Sequence, residues 1–260
     1  MKKLHIGLLS AMPEEVGETL NHLKNVKTIS HGDLVIYKGQ WILEDSINAE
    51  IYVSLAWSGW GKVSASRAVT RLIDTGENKK NLDLIIFTGV AGSANAELNQ
   101  WDIVIANEVI QHDMDARPLF KKYYIPALGI PKIKSPQKLT NWILNVLKDS
   151  KQKGNLVKFG SIKKGLIASG DKFISDKNTL KNLCLDIPDL DAVEMEGAAI
   201  AQVATQEKIP WAIVRVISDS ANEEASEDFS TFLKKYENHS WEIVNCILIH
   251  IYKNKTLLND

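Results

Sequence analysis

Four short stretches of this 260-residue chain put chemically capable side chains where an apolar run stops at a turn. They are LLSAMPEE (Leu8 to Glu15), TGVAGS (Thr88 to Ser93), DAVEMEG (Asp191 to Gly197) and RVISD (Arg215 to Asp219). In DAVEMEG two carboxylates flank a methionine. If that stretch is extended, side chains two apart share a face, so Glu194 and Glu196 are expected in one cavity. Carboxylates so placed can move protons and favour a developing positive charge. An ordinary reading stays open for Glu194 in particular: a glutamate in a helix's first turn caps it and complements its dipole. Arg215, Ile217 and Asp219 alternate, which is expected to turn both charged groups toward the cavity. An arginine inside so apolar a strand needs an anionic partner or a wet pocket. In TGVAGS, two glycines and an alanine let backbone N–H groups approach a ligand closely, as anion or sugar cradles require. A tight strand-to-loop turn fits the same residues. No Gly-Lys-Ser/Thr ending follows, so this is not a Walker loop.

These groups need elements to hold them. In open α/β sheets ligands bind outside the carboxyl ends of strands, so four such ends can surround one pocket. Residues 4–9 predict a first strand, and Pro13, suited to a first helical position, begins a helix running to about Leu23. LVIYKG, WILEDS and EIYVSLAW predict three strands with antiparallel pairing, hence a mixed sheet. Ser58 to Lys62 makes a glycine-punctuated turn into a helix with an apolar stripe at Val63, Ala65, Ala68, Val69 and Leu72. DLIIF (Asp83 to Phe87) predicts a buried strand that stops at TGVAGS, and Asp102 to Gln111 another. His112 and Asp113, adjacent on a strand, point to opposite faces and read as structural. The proline-bearing stretch after them has the size of a lid or an interface segment. A helix from Pro136 to about Lys151, two strand-like pieces within 156–168 and the turn SGDKFIS follow. After the central glutamates come a strand from Trp211 to Ser218, an acidic loop NEEASED, and one long helix from about Asp228 to Ile251 with a frayed tail over 252–260.

Composition excludes several classes. Thirty-one basic against thirty-two acidic side chains give a net charge of −1, with no basic block for nucleic acid. The opening MKKLHIGLLSAM is interrupted by Pro13, Glu14 and Glu15 and shows no small-residue cleavage site, so it reads as a strand rather than a leader. No apolar run is long enough to span a membrane. Two cysteines make no disulfide framework, and the six histidines are not spaced for zinc. A single domain over residues 1–260, cytoplasmic and without metal or cofactor, is expected.

Taken in order, the four stretches resemble the methylthioadenosine/S-adenosylhomocysteine nucleosidases of the nucleoside phosphorylase superfamily, from about residue 4 to 250. The resemblance implies a three-layer α/β/α sandwich around a mixed, partly barrel-like sheet. It implies hydrolysis of the N-glycosidic bond of methylthioadenosine and S-adenosylhomocysteine, and of 5′-deoxyadenosine by extension. Asp219 matches the general acid that protonates adenine, with Ser218 beside it. Glu196 matches the residue holding the ribose hydroxyls, Met195 packs on the sugar, and Glu15 matches the base that activates water. Arg215 and Glu194 match supporting or water-site groups. Phe173 matches the aromatic stacked on adenine, Ile174 supplies backbone hydrogen bonds, and Ala91 with Gly92 lies near ribose. Met12, Trp60 and Phe229 form the 5′ pocket, where Trp60 departs from the family's usual smaller aliphatic residue. Relatives are usually homodimers whose partner loop closes that pocket, a part that falls here to residues 112–126. A nucleoside phosphorylase, a futalosine hydrolase and a non-catalytic storage homologue remain as alternatives.

Overall fold

The computed structural model describes residues 4–43, 50–76, 82–221 and 225–254. The chain begins with β1 (Leu4–Ser10), two 3-10 turns (Pro13–Glu15 and Gly17–His22), β2 (Lys24–His31), β3 (Leu34–Ile42) and β4 (Glu50–Trp57). Then come α1 (Lys62–Ile73), β5 (Leu84–Ser93), β6 (Ile103–Gln111), β7 (Lys132–Lys134), α2 (Gln137–Gln152) and β8 (Ile162–Ser169). The last part holds α3 (Lys177–Asp186), β9 (Leu190–Glu194), α4 (Gly197–Gln206), β10 (Trp211–Asp219), α5 (Ala225–Tyr236) and α6 (Ser240–Lys253).

All ten described strands join one mixed sheet, ordered β10-β6-β8-β9-β5-β1-β4-β3-β2 with β7 on β6. Because β10 also pairs with β5, the strands β10, β6, β8, β9 and β5 close into a ring, and β1, β4, β3 and β2 extend from it. The fold is thus mixed α/β with a sheet that forms a partial barrel. Strands such as β1 and β10, mostly apolar and buried along their length, sit where helices cover the sheet. The apolar faces of α1 and α4 pack on one side, with Leu9, Phe87 and Ile213. Those of α5, α6 and α2 pack on the other, with Leu8, Ile86 and Val214.

β5 organises the site. Its first half pairs with β1 (Ile6↔Leu84 to Leu9↔Phe87), its far end with β9 (Gly92↔Val193, Ser93↔Ala192), and its whole length with β10. TGVAGS is therefore strand through Ser93 rather than a turn, because β10 supplies partners for it as far as Asp219.

Other expectations change as well. The helix predicted from Pro13 to Leu23 is instead two 3-10 turns, since Gly17 at φ +46 interrupts a right-handed helix. LVIYKG and the start of WILEDS are one strand, β3; the remainder of WILEDS beyond Leu43 lies outside the described residues. β2 was not anticipated: KNVKTISH is mostly exposed and has no apolar alternation to betray it. Within 156–168 there is one strand start, Ile162, rather than two strand pieces. The long C-terminal helix is two helices. The His239 amide closes a turn on the Tyr236 carbonyl at 2.8 Å, and Ser240 begins α6. The second half of NEEASED is the first turn of α5, and α6 continues to Lys253. No described helix is long and apolar enough to cross a membrane.

Candidate active site

The four stretches meet. β1 delivers the turn carrying Met12 and Glu15, β5 delivers Val90 and Gly92, β9 with the start of α4 delivers Glu194 to Glu196, and β10 delivers Ser218 and Asp219. Together with Trp60, Phe173, Ile174 and Phe229 they line one cleft, whose empty space is about 550 Å³ with its open mouth included. Twelve of the fourteen site residues expected from the sequence are on its wall; Ala91 and Arg215 are not. β5 stays extended, so Val90 and Gly92 face the cleft while Ala91 packs in the opposite apolar layer. The Ala91 carbonyl accepts from Ser218 Oγ at 3.2 Å.

Arg215 lies beneath the wall rather than on it, fully buried with its guanidinium 3.8 Å from the centroid of Phe87. Three carboxylates close over it. Nη2 donates to Glu194 Oε2 at 2.5 Å and to Glu196 Oε2 at 3.4 Å, and Nη1 donates to Glu15 Oε1 at 3.5 Å and to the Thr88 carbonyl at 3.2 Å. The anionic partner that an apolar-strand arginine requires is thus threefold. Alternation did place Arg215 on the side of the carboxylates. The register of β10 on β5 is irregular between Ile217 and Asp219, however, so Asp219 reaches the cleft without following Arg215's path. Side-chain and backbone bonds from 100–102 secure this end: Gln100 Nε2 donates to the Ser218 carbonyl at 2.7 Å, and the Trp101 amide to the Ile217 carbonyl at 3.0 Å.

Each carboxylate has its own surroundings. Glu15 Oε2 accepts the Ala11 and Met12 amides at 2.7 and 3.0 Å, and Oε1 accepts the Val90 amide at 2.9 Å. Burial pushes its pKa up against the lowering pull of Arg215 and these three amides. Gly89, at φ +149, passes directly beneath: a β-carbon there would collide with Glu15 Oε1 and Arg215 Nη1.

Glu194 does cap α4, but from the last position of β9 and not from the first turn of the helix that the ordinary reading supposes. It accepts the Gly197 amide at 2.8 and 3.0 Å and the Glu196 amide at 3.2 Å, besides holding Arg215. Ser169 Oγ donates to its Oε1. Glu196 accepts the Gly61 amide at 2.8 Å; burial first, then the neighbouring charge of Glu194, pushes its pKa to about 8.

Asp219 stands apart from this cluster. Its Oδ2 accepts from Ser218 Oγ at 2.6 Å and its Oδ1 from the Ala221 amide at 2.8 Å. Burial raises its pKa in spite of both bonds, and the charge of Asp228 adds to the rise. A buried carboxyl biased toward its protonated form is equipped to donate a proton. The aromatic wall is continuous: Phe229 meets Phe173 edge-on with ring centroids 5.8 Å apart, and Trp60 edge-on at 6.2 Å.

Ala11, Lys172 and Val193 also line the cleft and had not been singled out. Neither had Ser169 and Phe87, which back Glu194 and Arg215. Their only signal was adjacency to the strand ends, which does not say which neighbours turn inward. Among the described residues no group of histidine, cysteine or acidic side chains could hold a metal ion.

The phosphorylase superfamily family model matches residues 5–248. The chain is 35% identical over 244 residues to a 5′-methylthioadenosine/S-adenosylhomocysteine nucleosidase of Staphylococcus aureus, covering 94% of this chain and 98% of that protein. Among solved structures it is similar to the Colwellia psychrerythraea nucleosidase of that name in complex with adenine, with a TM-score of 0.82 and 29% identity over 95% of each chain. The Neisseria meningitidis nucleosidase in complex with methylthio-immucillin-A gives 0.80 and 30% over 94% of this chain and 97% of that one. The futalosine hydrolase of Helicobacter pylori gives 0.80 and 29% over 95% and 98%.

Proposed function

The chain belongs to the phosphorylase superfamily, and we infer that within it this protein is an N-glycosyl hydrolase. It cleaves 5′-methylthioadenosine and S-adenosylhomocysteine and releases adenine. The observation that carries the reading is the pairing of two separated carboxyl environments across one cleft: Asp219 on its own at one end, and Glu15 with Glu196 over Arg215 at the other.

In this reading adenine stacks against Phe173 and meets the backbone at Ile174, and Asp219 protonates the base as the glycosidic bond lengthens. Glu196 holds the ribose hydroxyls, Met195 packs on the sugar, and the anionic cluster favours oxocarbenium character. Glu15, held by three amides, takes the proton of the attacking water. Arg215 keeps the carboxylates together, with Glu194 as its closest partner. Met12, Trp60 and Phe229 receive the 5′ substituent, and Gly92 allows close approach of the sugar.

A phosphorylase must seat a phosphate dianion where this cleft presents Glu15. The buried guanidinium nearby is already shared by three carboxylates, and among the described lining residues the one cation is Lys172, which is exposed. Carboxylates facing that position would repel phosphate by on the order of several kcal/mol at low effective dielectric. The deciding experiment is incubation with methylthioadenosine in phosphate-free buffer. Free adenine and 5-methylthioribose are expected, at a rate that added phosphate does not raise. A strict phosphate requirement, with the sugar 1-phosphate as product, would overturn the reading.

The whole chain acts as one catalytic unit, a reading supported by the single sheet that contains every described strand. We place it in the cytoplasm, in keeping with two unpaired cysteines. It works as a homodimer in which residues 112–126 reach the partner's 5′ pocket. Leu119 at 84% exposure and Phe120 at 42% give that segment an apolar surface to bury. Full activity from a sedimenting monomer would refute the dimer.

A further inference from the structure

We propose that Lys62, Asp113 and Asp171 form a closed clasp that holds the Gly61 amide on Glu196, so that Lys62 and Asp113 are positioning residues for the cleavage reaction. The proposal rests on the nucleosidase reading for what Glu196 does, but the clasp itself is geometry.

Three segments meet at the mouth of the cleft: the turn from Ser58 to Lys62 that carries Trp60, the end of β6 with the residues after it, and the turn after β8 that leads to Phe173. Lys62 Nζ donates to Asp113 Oδ1 at 2.6 Å. Asp113 Oδ2 accepts the Asp171 amide at 2.9 Å. Asp171 Oδ1 accepts the Lys62 amide at 2.7 Å, which closes the ring. Lys62 Nζ also donates to Gln111 Oε1 at 3.3 Å. The Asp171 carboxylate thereby occupies the N-terminus of α1, where the helix dipole favours negative charge.

The consequence lies one residue away. With the Lys62 amide fixed by Asp171, the preceding amide, that of Gly61, is directed at Glu196 Oε1 at 2.8 Å. That bond is shorter than the 3.4 Å contact of Glu196 Oε2 with Arg215, so the amide is a principal partner of this carboxylate. An isolated exposed ion pair would carry little weight. Here the Lys62 and Asp113 side chains are 19% and 31% exposed, and each residue takes part in two bonds of the ring, Lys62 through its ammonium and its amide and Asp113 through both carboxylate oxygens, so loss of one link frees the turn. Against partial burial, the Lys62 ammonium and the Asp171 amide hold the Asp113 carboxyl below its usual range, which keeps the ring charged.

The charged groups facing Glu196 are Glu194 from β9, Arg215 from β10 and Glu15 from the first 3-10 turn. None of them belongs to the clasp. Loss of the Gly61 amide removes a group that favours ionised Glu196 and leaves those three in place. The acidic limb of kcat/KM, which reports the free enzyme, then moves to higher pH.

The test uses Asp113→Asn and Lys62→Met, which keep side-chain size, with amide hydrogen exchange at Gly61 and the pH profile of kcat/KM as readouts. Both variants are expected to speed Gly61 exchange by about tenfold, the scale of a lost hydrogen bond to a charged group, while Ile86 in β5 is unaffected. The kcat/KM should fall by about tenfold with its acidic limb displaced upward, and Lys62→Arg should retain the wild-type profile. Unchanged Gly61 exchange in both variants, or an acidic limb that stays in place, overturns the proposal. A wild-type protein that releases no adenine would instead refute the nucleosidase reading, and Gly61 exchange would still decide whether the clasp exists.

Discussion

Glu196→Gln should make the protein more stable and less active, and the pH dependence of the stability change identifies the cause. Glu196 is 4% exposed and its pKa rises from the ordinary 4.5 to about 8, through burial and then the charge of Glu194. Near pH 4.5 and below, the carboxyl is protonated in folded and unfolded chains alike. Between that point and about pH 8 the unfolded chain releases a proton that the folded protein keeps. Stability therefore drops by about 1.36 kcal/mol per pH unit across the window and is level above it. Close to neutrality the accumulated loss is about 3 kcal/mol.

Glutamine carries no such proton, and its amide oxygen can still accept from Gly61. It gives up the ionised carboxylate's attraction to Arg215, so the figure is an upper one. Thermal unfolding of both proteins should show Tm of the variant minus wild type increasing from about pH 5 to about pH 8. The increase should reach up to about 4 kcal/mol, on the order of 10 °C for a chain of this size. Above about pH 8, where the wild-type carboxyl is ionised, kcat should be lowered on the order of 10²-fold, since the neutral side chain cannot favour the cationic sugar. A Tm difference that is flat with pH would refute the assignment of a retained proton to Glu196.

Two further substitutions probe the other parts of the site. Asp219→Asn should lower kcat on the order of 10²-fold while KM changes little, because an amide can hydrogen-bond the base but cannot protonate it; single-turnover adenine release checks this, and a near-normal kcat would remove Asp219 from its role. Gly89→Ala should cost about 1–3 kcal/mol in denaturant unfolding for the strained backbone alone and should abolish most activity, because the added methyl displaces Glu15 and Arg215 together; an active, undisturbed variant would show that the pair tolerates separation.

The site was more legible in the sequence than the fold around it. Glu15, Glu196 and Asp219 each follow an apolar run that reads as a buried strand, and the ends of such strands converge by the geometry of the sheet. What spacing does not reveal is depth. Arg215 and Asp219 have the same parity in RVISD, yet the irregular register at Ile217 sends one beneath the wall and leaves the other on it. TGVAGS looked like a turn because glycine usually ends strands, but its partners are β10 and β9, more than a hundred residues away in β10's case, and local pattern cannot announce them. β2 was missed for the opposite reason: it is an edge strand held by β3 alone, with too little burial to impose alternation. In the C-terminal helix the apolar stripe persisted across Glu237 to His239, so periodicity joined what the backbone divides.

The arrangement also explains why so many buried acidic groups can share one cleft. Glu15, Glu194 and Glu196 surround one guanidinium, and full ionisation would leave two negative charges uncompensated among buried side chains. Burial drives the pKa of both Glu15 and Glu196 upward, so the cluster resists that full ionisation. A neutral nucleoside enters without adding to that charge, and as its glycosidic bond breaks the sugar becomes positive next to groups that gain by ionising. A phosphate dianion would do the reverse and oppose them from the start. Asp219 is bonded to Ser218 and the Ala221 amide rather than to Arg215; burial raises its pKa, with the charge of Asp228 adding to the rise, and it can pass a proton to the base without disturbing the cluster. The separation of Asp219 from the guanidinium is what allows one cleft to present an acid at the base and anionic groups at the sugar during the same step.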